Sequence, residues 1–361
     1  MNLELVENIA NAVLYEGYML YPYRASSVKN RQRFNWGALV PESYSAAQKG
    51  TEAFEMQTEC LVQAGESAMV DIKVRFLHLT SREIGKLENP LDELPKDAEP
   101  NFRLVPTLDI NGQLFHAWQE AAEREVNLPD VLLNEISERQ NFSFPTTREL
   151  EPLRDENNKI VGVIVRTQQE ISGEIEVQSS KSKVQNSNSE DRKSQLFKIT
   201  VRIKNLTAFK NASEQTRDNA LLHSLVSTHT ILTAKNGEFV SLLEPPDELR
   251  EAVASCQNIK TYPVLAGTEG EKDCLLSSPI ILYDYPQIAQ ESAGDLFDGG
   301  EIDEILTLRI MTLTDEEKRE MRGVDDRVRK MLERTETMPE EQLLKMHGAL
   351  KGVGKAVEGN K

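Results

Sequence analysis

Hydrophobic residues recur along the first turns of the chain with the period of an α-helix. Val6, Ile9, Ala10, Val13 and Leu14 follow the i, i+3, i+4, i+7, i+8 spacing, and Glu4, Glu7, Asn8 and Asn11 occupy the opposite side. Such a stripe must be covered by something apolar, so the spacing predicts an amphipathic helix over 3–15 that stops at Gly17. The period is then lost, and Pro22 among tyrosines predicts an extended arm leading into the first strands.

From about residue 54 the period becomes two. Met56, Thr58, Cys60 and Val62 alternate with polar neighbours, as do Val70, Ile72, Val74 and Phe76, and Ala64-Gly65-Glu66-Ser67 between them predicts a turn. Asn111-Gly112, with apolar residues on both sides, is the strongest hairpin signal in the chain. Residues 160–165 and 171–177 are β-branched runs, and Phe197, Ile199, Val201 and Ile203 alternate with Lys198, Thr200, Arg202 and Lys204. Residues 178–195 contain one apolar residue, Val184, too little to offset the entropy of ordering, and predict a long mobile hairpin loop.

Antiparallel strands joined by turns, with no crossover helices between them, predict a mainly β (α+β) fold and not a doubly wound one. The expectation is an antiparallel β-sandwich core with an N-terminal helix and arm and a C-terminal helical tail. Thr314-Asp315-Glu316-Glu317 and Thr337-Met338-Pro339-Glu340 both match the capping box, and Leu343, Leu344, His347 and Leu350 share a face after the second. The chain therefore divides into a helix and aromatic-basic arm at 1–45, a sandwich core at 46–290 with its mobile loop, and an acidic helical tail at 291–361.

With 361 residues, 39% of them hydrophobic, the chain can build a real core. Its 59 acids against 42 bases give a net charge of -17, so the average field repels phosphate and any anion site must be local. Cys60, Cys256 and Cys274 form no C-x-x-C pair and read as reduced thiols, which predicts a cytoplasmic location. Glu4 and Glu7 interrupt what a secretory signal would need, and no apolar run is long enough to span a membrane.

Chemistry is sparse. His223 and His229 are six residues apart, which suits neither a helix face nor a zinc spacing, and the acids between 290 and 320 fail the EF-hand pattern. Ser277-Ser278-Pro279 is no nucleophile elbow, and the phosphate-binding glycine motifs are missing. No catalytic residue, metal or cofactor is expected. Two segments instead read as contact surfaces. In the first, Tyr18, Tyr21, Tyr23, Arg24, Lys29, Arg31, Arg33 and Trp36 gather aromatic and cationic groups, the composition of protein hot spots. In the second, Asp295, Phe297, Asp298 and Glu301 mix acids with apolar positions. Three further readings stay open: the arm packs internally against the tail, residues 15–36 bind single-stranded nucleic acid, or an enzyme of unknown class uses a site near 277–285.

The stretches "VLYEGYMLYPYRASSVKNRQRFNWG" (13–37), "QTECL" (57–61), "LVSTHTIL" (225–232), "FVSLLEPP" (239–246) and "LSSPIILYDYPQIAQESAGDLFDGGEIDEILTLRIMTLTDEEK" (276–318) resemble an uncharacterised bacterial family encoded beside high-affinity, oxygen-tolerant [NiFe]-hydrogenases. The resemblance covers most of the chain outside 178–195. It implies a setting and no catalytic residues: a non-catalytic accessory or assembly protein, with a hydrogenase subunit or maturation factor as partner. Three isolated cysteines cannot supply the nickel-iron or Fe–S ligands of the hydrogenase itself.

Overall fold

The structure, a computed structural model, describes residues 3–15, 36–133, 137–182, 195–287 and 313–322, with 329, 332, 333, 336 and 337. Their elements are α1 (Leu3–Tyr15), α2 (Glu42–Ala47), β1 (Glu55–Leu91), β2 (Phe102–Val105), β3 (Thr107–Ile110), β4 (Gln113–His116), β5 (Trp118–Leu132), β6 (Ser137–Phe144), β7 (Thr147–Arg154), β8 (Ile160–Gln168), β9 (Ile171–Lys181), β10 (Gln195–Asn205), α3 (Arg217–Leu221), β11 (Val226–Phe239), α4 (Arg250–Ala254), β12 (Tyr262–Leu265), β13 (Cys274–Ser278) and α5 (Asp315–Arg322). The fold is mainly β: one large antiparallel sheet, curled on itself as a sandwich or half-barrel, with α1 against its outer face and β3–β4 as a separate hairpin.

β1 is the spine. One of its edges pairs in turn with β10, β5 and β2, and the other with β11 and then β8. Its residues Met56, Cys60, Val62, Ala64, Ala68, Val70, Ile72, Val74 and Phe76 all enter one core, alongside Val126 and Leu128 of β5, Ile175 of β9, Ile199 and Val201 of β10 and Leu232 of β11. Curling brings β6, the far end of the sheet, back onto the middle of β1, where Phe142 and Phe144 lie 5.8 and 6.0 Å from the Phe76 ring.

The helix over 3–15, the Asn111-Gly112 hairpin and the strands from Ile160, Ile171 and Gln195 form as their patterns predict. In the hairpin both turn residues have positive φ, 53° and 80°, and the Gly112 N–H donates to the Asp109 carboxylate. A helix also starts after Thr314, whereas the one expected after Thr337 lies outside the described residues.

Two expectations need correction. Residues 64–67 do not turn: β1 runs straight through them, because β11 pairs with it on both sides and the irregularity is absorbed as a bulge between Ala64 and Met69. Residues 178–181 are not loop either. They continue β9 in register with β10, Ser179 opposite Ile199, and Gln195 already belongs to β10, while 183–194 lie outside the described residues. No described helix is long and apolar enough to cross a membrane.

Gly173 of β9 faces Phe142 of β6 across the ladder. A Cβ there would meet the Phe142 ring and, at 2.7 Å, the Lys204 carbonyl. Gly173→Ala is therefore expected to cost about 1–3 kcal/mol, the usual penalty of overpacking. Urea denaturation measures it, and a midpoint equal to wild type would contradict this packing.

Candidate functional site

The apolar stripe of α1 rests on β11 and β13, where Val6, Ile9, Ala10 and Val13 pack with Ile231, Cys274 and Leu276. Its polar residues fit β1 by length. Glu7 accepts from Lys73 Nζ at 3.0 Å and Asn11 accepts from Arg75 Nη2 at 2.8 Å. Four helical residues rise about 6 Å and two strand residues about 6.6 Å, so one turn of helix matches one repeat of strand. Glu125 and Glu123 of β5 pair with the same two cations from the other side.

Beyond α1 the chain returns at Trp36-Gly37, and a single residue receives both ends. The Ser227 hydroxyl donates to the Val13 carbonyl at 3.1 Å, and the Ser227 N–H donates to the Trp36 carbonyl at 3.1 Å. The Ser227 carbonyl in turn accepts from His229 Nδ1 at 3.0 Å. Ser227 manages this with φ of 54°, a left-handed conformation costing roughly 1–2 kcal/mol in a non-glycine residue. Residues 225–228 then hold 37–39: Thr228 N–H to Gly37, and Leu39 with Leu225 in both directions, backed by the buried Asn205 amide on the Leu39 carbonyl. Gly37, at φ 56°, sits so close to Pro279 that a Cβ would lie 2.6 Å from its ring.

Pro279 opens the third part of the site. Residues 279–285 run as a strap beside β12 and β13, with Ile280 and Leu282 packed inward on the α1 cluster. Asp284 accepts from Leu265 N at 2.8 Å and from the Ser241 hydroxyl at 2.5 Å, and Tyr285 N donates to the Leu265 carbonyl at 2.7 Å. The alternate residues face out: Ile281 is 73% and Tyr283 85% exposed, beside the half-exposed Tyr262. In β12 the outward backbone groups belong to Pro263 and Leu265. Proline has no N–H and Leu265 is already engaged, so this edge is closed to strand addition and offers its side chains.

Of the predicted contact residues, Trp36 is described: it is half-exposed at the root of the arm. Tyr18, Tyr21, Tyr23, Arg24, Lys29, Arg31, Arg33, Asp295, Phe297, Asp298 and Glu301 lie outside the described residues. The structure does bring together what flanks them. The arm ends at Gly37 on Pro279, and the acidic segment follows the strap that starts at Pro279. Sequence reasoning covered Ile281 and Tyr283 only within the alternative enzyme site near 277–285 and did not single them out as contact residues, because a mostly apolar run gives no sign of which side is exposed.

The region around Ser277 is a hydroxyl ladder. Ser277 is fully buried, with its Oγ 2.7 Å from Thr58 Oγ1 and 2.7 Å from Thr261 Oγ1, tying β13 to β1 and to the residue that leads into β12. Burial pushes the thiols of Cys256 and Cys274 up to about 11 and that of Cys60 higher still, which keeps them protonated and poorly nucleophilic. Among the described residues no three His, Cys, Asp or Glu side chains converge as metal ligands.

His229 under α1 and His78 at the end of the main core are fully buried, and burial depresses both to about 4. Their carbonyl bonds place the proton on Nδ1 of His229 and on Nε2 of His78, leaving the other nitrogens as acceptors with no partner among the described residues. An unfolded chain takes up these protons near 6.5 and the folded chain only near 4. Stability is therefore present above about pH 6.5 and lost as pH falls towards about 4, with a slope approaching ~1.4 kcal/mol per pH unit for each histidine. Urea midpoints measured across that range should fall with pH, and His229→Leu should flatten the slope; an unchanged slope would refute the assignment.

A scan against protein-family models and a search of curated proteins found no match to this chain, so the geometry carries the functional reading.

Proposed function

We propose that the protein is a non-catalytic accessory protein that binds another polypeptide through the strap and the two segments rooted beside it. The observation that carries this reading is the pair Ile281 and Tyr283, large side chains held out on a backbone that is itself pinned. An exposed aromatic on a fixed frame loses little entropy when covered, which is the physics of a binding hot spot. The sequence adds the tyrosines and arginines of the arm, whose described flanks Val13 and Trp36 are both bonded to Ser227. The family resemblance supplies the partner, a [NiFe]-hydrogenase subunit or its maturation factor, and a cytoplasmic setting.

Co-purification from a host that makes the hydrogenase tests the proposal. Ile281→Asp with Tyr283→Asp should cut recovery of the hydrogenase component at least about tenfold, the effect of losing a hot spot of 1.4 kcal/mol or more. Arg31→Glu with Arg33→Glu should lower recovery in the same way without moving the melting temperature. Recovery of no hydrogenase component by wild type would remove the setting, and undiminished recovery by both variants would remove the surface.

A further inference from the structure

Beside Glu7 the sheet contains a built recess. Between the pairs Val70–Val131 and Ile72–Leu128, the single residue Asp71 of β1 faces two residues of β5, Pro129 and Asp130. β5 bulges outward there, with Asp130 at φ 56°. The bulge is clamped: Asp71 accepts from the Asp130 N–H at 2.7 Å, and Lys235 Nζ joins the Asp71 and Asp130 carboxylates at 2.8 Å each. Bulges of this kind re-aim side chains next to functional sites. The result is a half-open cavity of about 230 Å³ between α1 and the sheet, with Ile72, Leu128, Pro129 and Ile231 in its walls and Glu7, Lys73 and Asn127 among its polar groups.

We infer that this recess binds a small organic cation, a protonated amine carrying an apolar body. Size and charge both select it. A cavity of roughly 150 Å³ holds benzene, so this one has room for a ring and a short aminoalkyl arm. Of the charged side chains that line it, Glu7 and Asp71 are acids and Lys73 is a base, and Lys73 is itself shared between Glu7 and Glu125, so the walls are acidic on balance. Behind Lys73, Arg75 pairs with Glu123 and Glu125, outside the recess lining. Asn127 donates its amide N–H to Glu125, so its Oδ1 remains as an acceptor for an ammonium group. The site lies on the β5 side of α1, away from the strap, and does not depend on the protein-binding reading.

Isothermal titration of the full-length protein with phenethylammonium, 2-phenylethanol and hydrocinnamate compares one phenethyl body carrying a positive, a neutral and a negative head. Phenethylammonium should bind saturably with one site, about tenfold or more tighter than the alcohol, with hydrocinnamate weakest and added salt weakening the ammonium. Asn127→Trp, at an exposed rim position, should abolish binding by filling the recess. Glu7→Gln, whose amide oxygen still accepts from Lys73, should weaken it severalfold. Hydrocinnamate binding as tightly as the ammonium, full affinity in either variant, or no saturable binding of phenethylammonium would each overturn the inference.

Discussion

Strand β1 forms a ladder along both edges for most of its 37 residues, and the strict alternation of its side chains decides what can lie on each side of the sheet. Laid straight, such a strand would measure about 120 Å, far longer than a protein of this size is wide, so the sheet has to curl. The curl is what creates an inside. Its inward positions keep one parity through the bulge after Ala64, since Ala68 follows four residues later and re-enters the same core. A slip of one residue would exchange Val70, Ile72 and Val74 for Asp71, Lys73 and Arg75, burying three charges and stripping α1 of its anchors.

The same parity explains a change of chemistry halfway along. Past Phe76 the inward positions are His78, Thr80 and Arg82, all nearly inaccessible, and their neighbours continue the polar belt. Arg124 donates to Gln168 at 2.8 Å and stacks on Phe144, while Arg166 joins Glu120 and Glu151 at 2.6 and 2.5 Å. Beyond the belt the face is apolar again, with Ile84, Ile164 and Leu153 under the β3–β4 hairpin. Two hydrophobic clusters therefore share one continuous sheet across a layer of paired charges. Ion pairs of this sort contribute little net stability, but they are costly to misalign, so the belt fixes the relative position of the clusters more than it strengthens either.

Local pattern carried much of this. The α1 stripe is periodic and its partner surface only had to exist, and in β10 the alternation of Phe197 to Ile203 survives because one face is buried and the other is wet. Pattern failed where a distant partner decides. Gly65 and Ser67 have turn composition, yet β11, arriving from 170 residues later, pairs on both sides of them and keeps the strand extended. Gln178 to Lys181 have loop composition, and β10 holds them in the sheet. The site shows the same limit. The arm's composition marks it as a contact segment, but nothing local reveals that Pro279 lies against Gly37, that Pro129-Asp130 is a clamped bulge, or that Tyr283 faces out while Leu282 faces in.

Ser227 shows how the fold bears on the proposed interface. A segment as long as 16–35 pays a closure entropy that grows only slowly with its length, so what limits its usefulness is whether its ends stay put. Here both ends are held by one buried residue whose left-handed backbone is kept in place by bonds to Val13, Trp36 and His229. Because Ser227 sits at the irregularity between the Arg75–His229 and Leu77–Val226 pairs, the strain belongs to the sheet and not to the arm. The attachment point is therefore set by β1 and β11 whatever the arm contacts. The same register seats α1, because Glu7 and Asn11 are bonded to Lys73 and Arg75 in the centre of the spine.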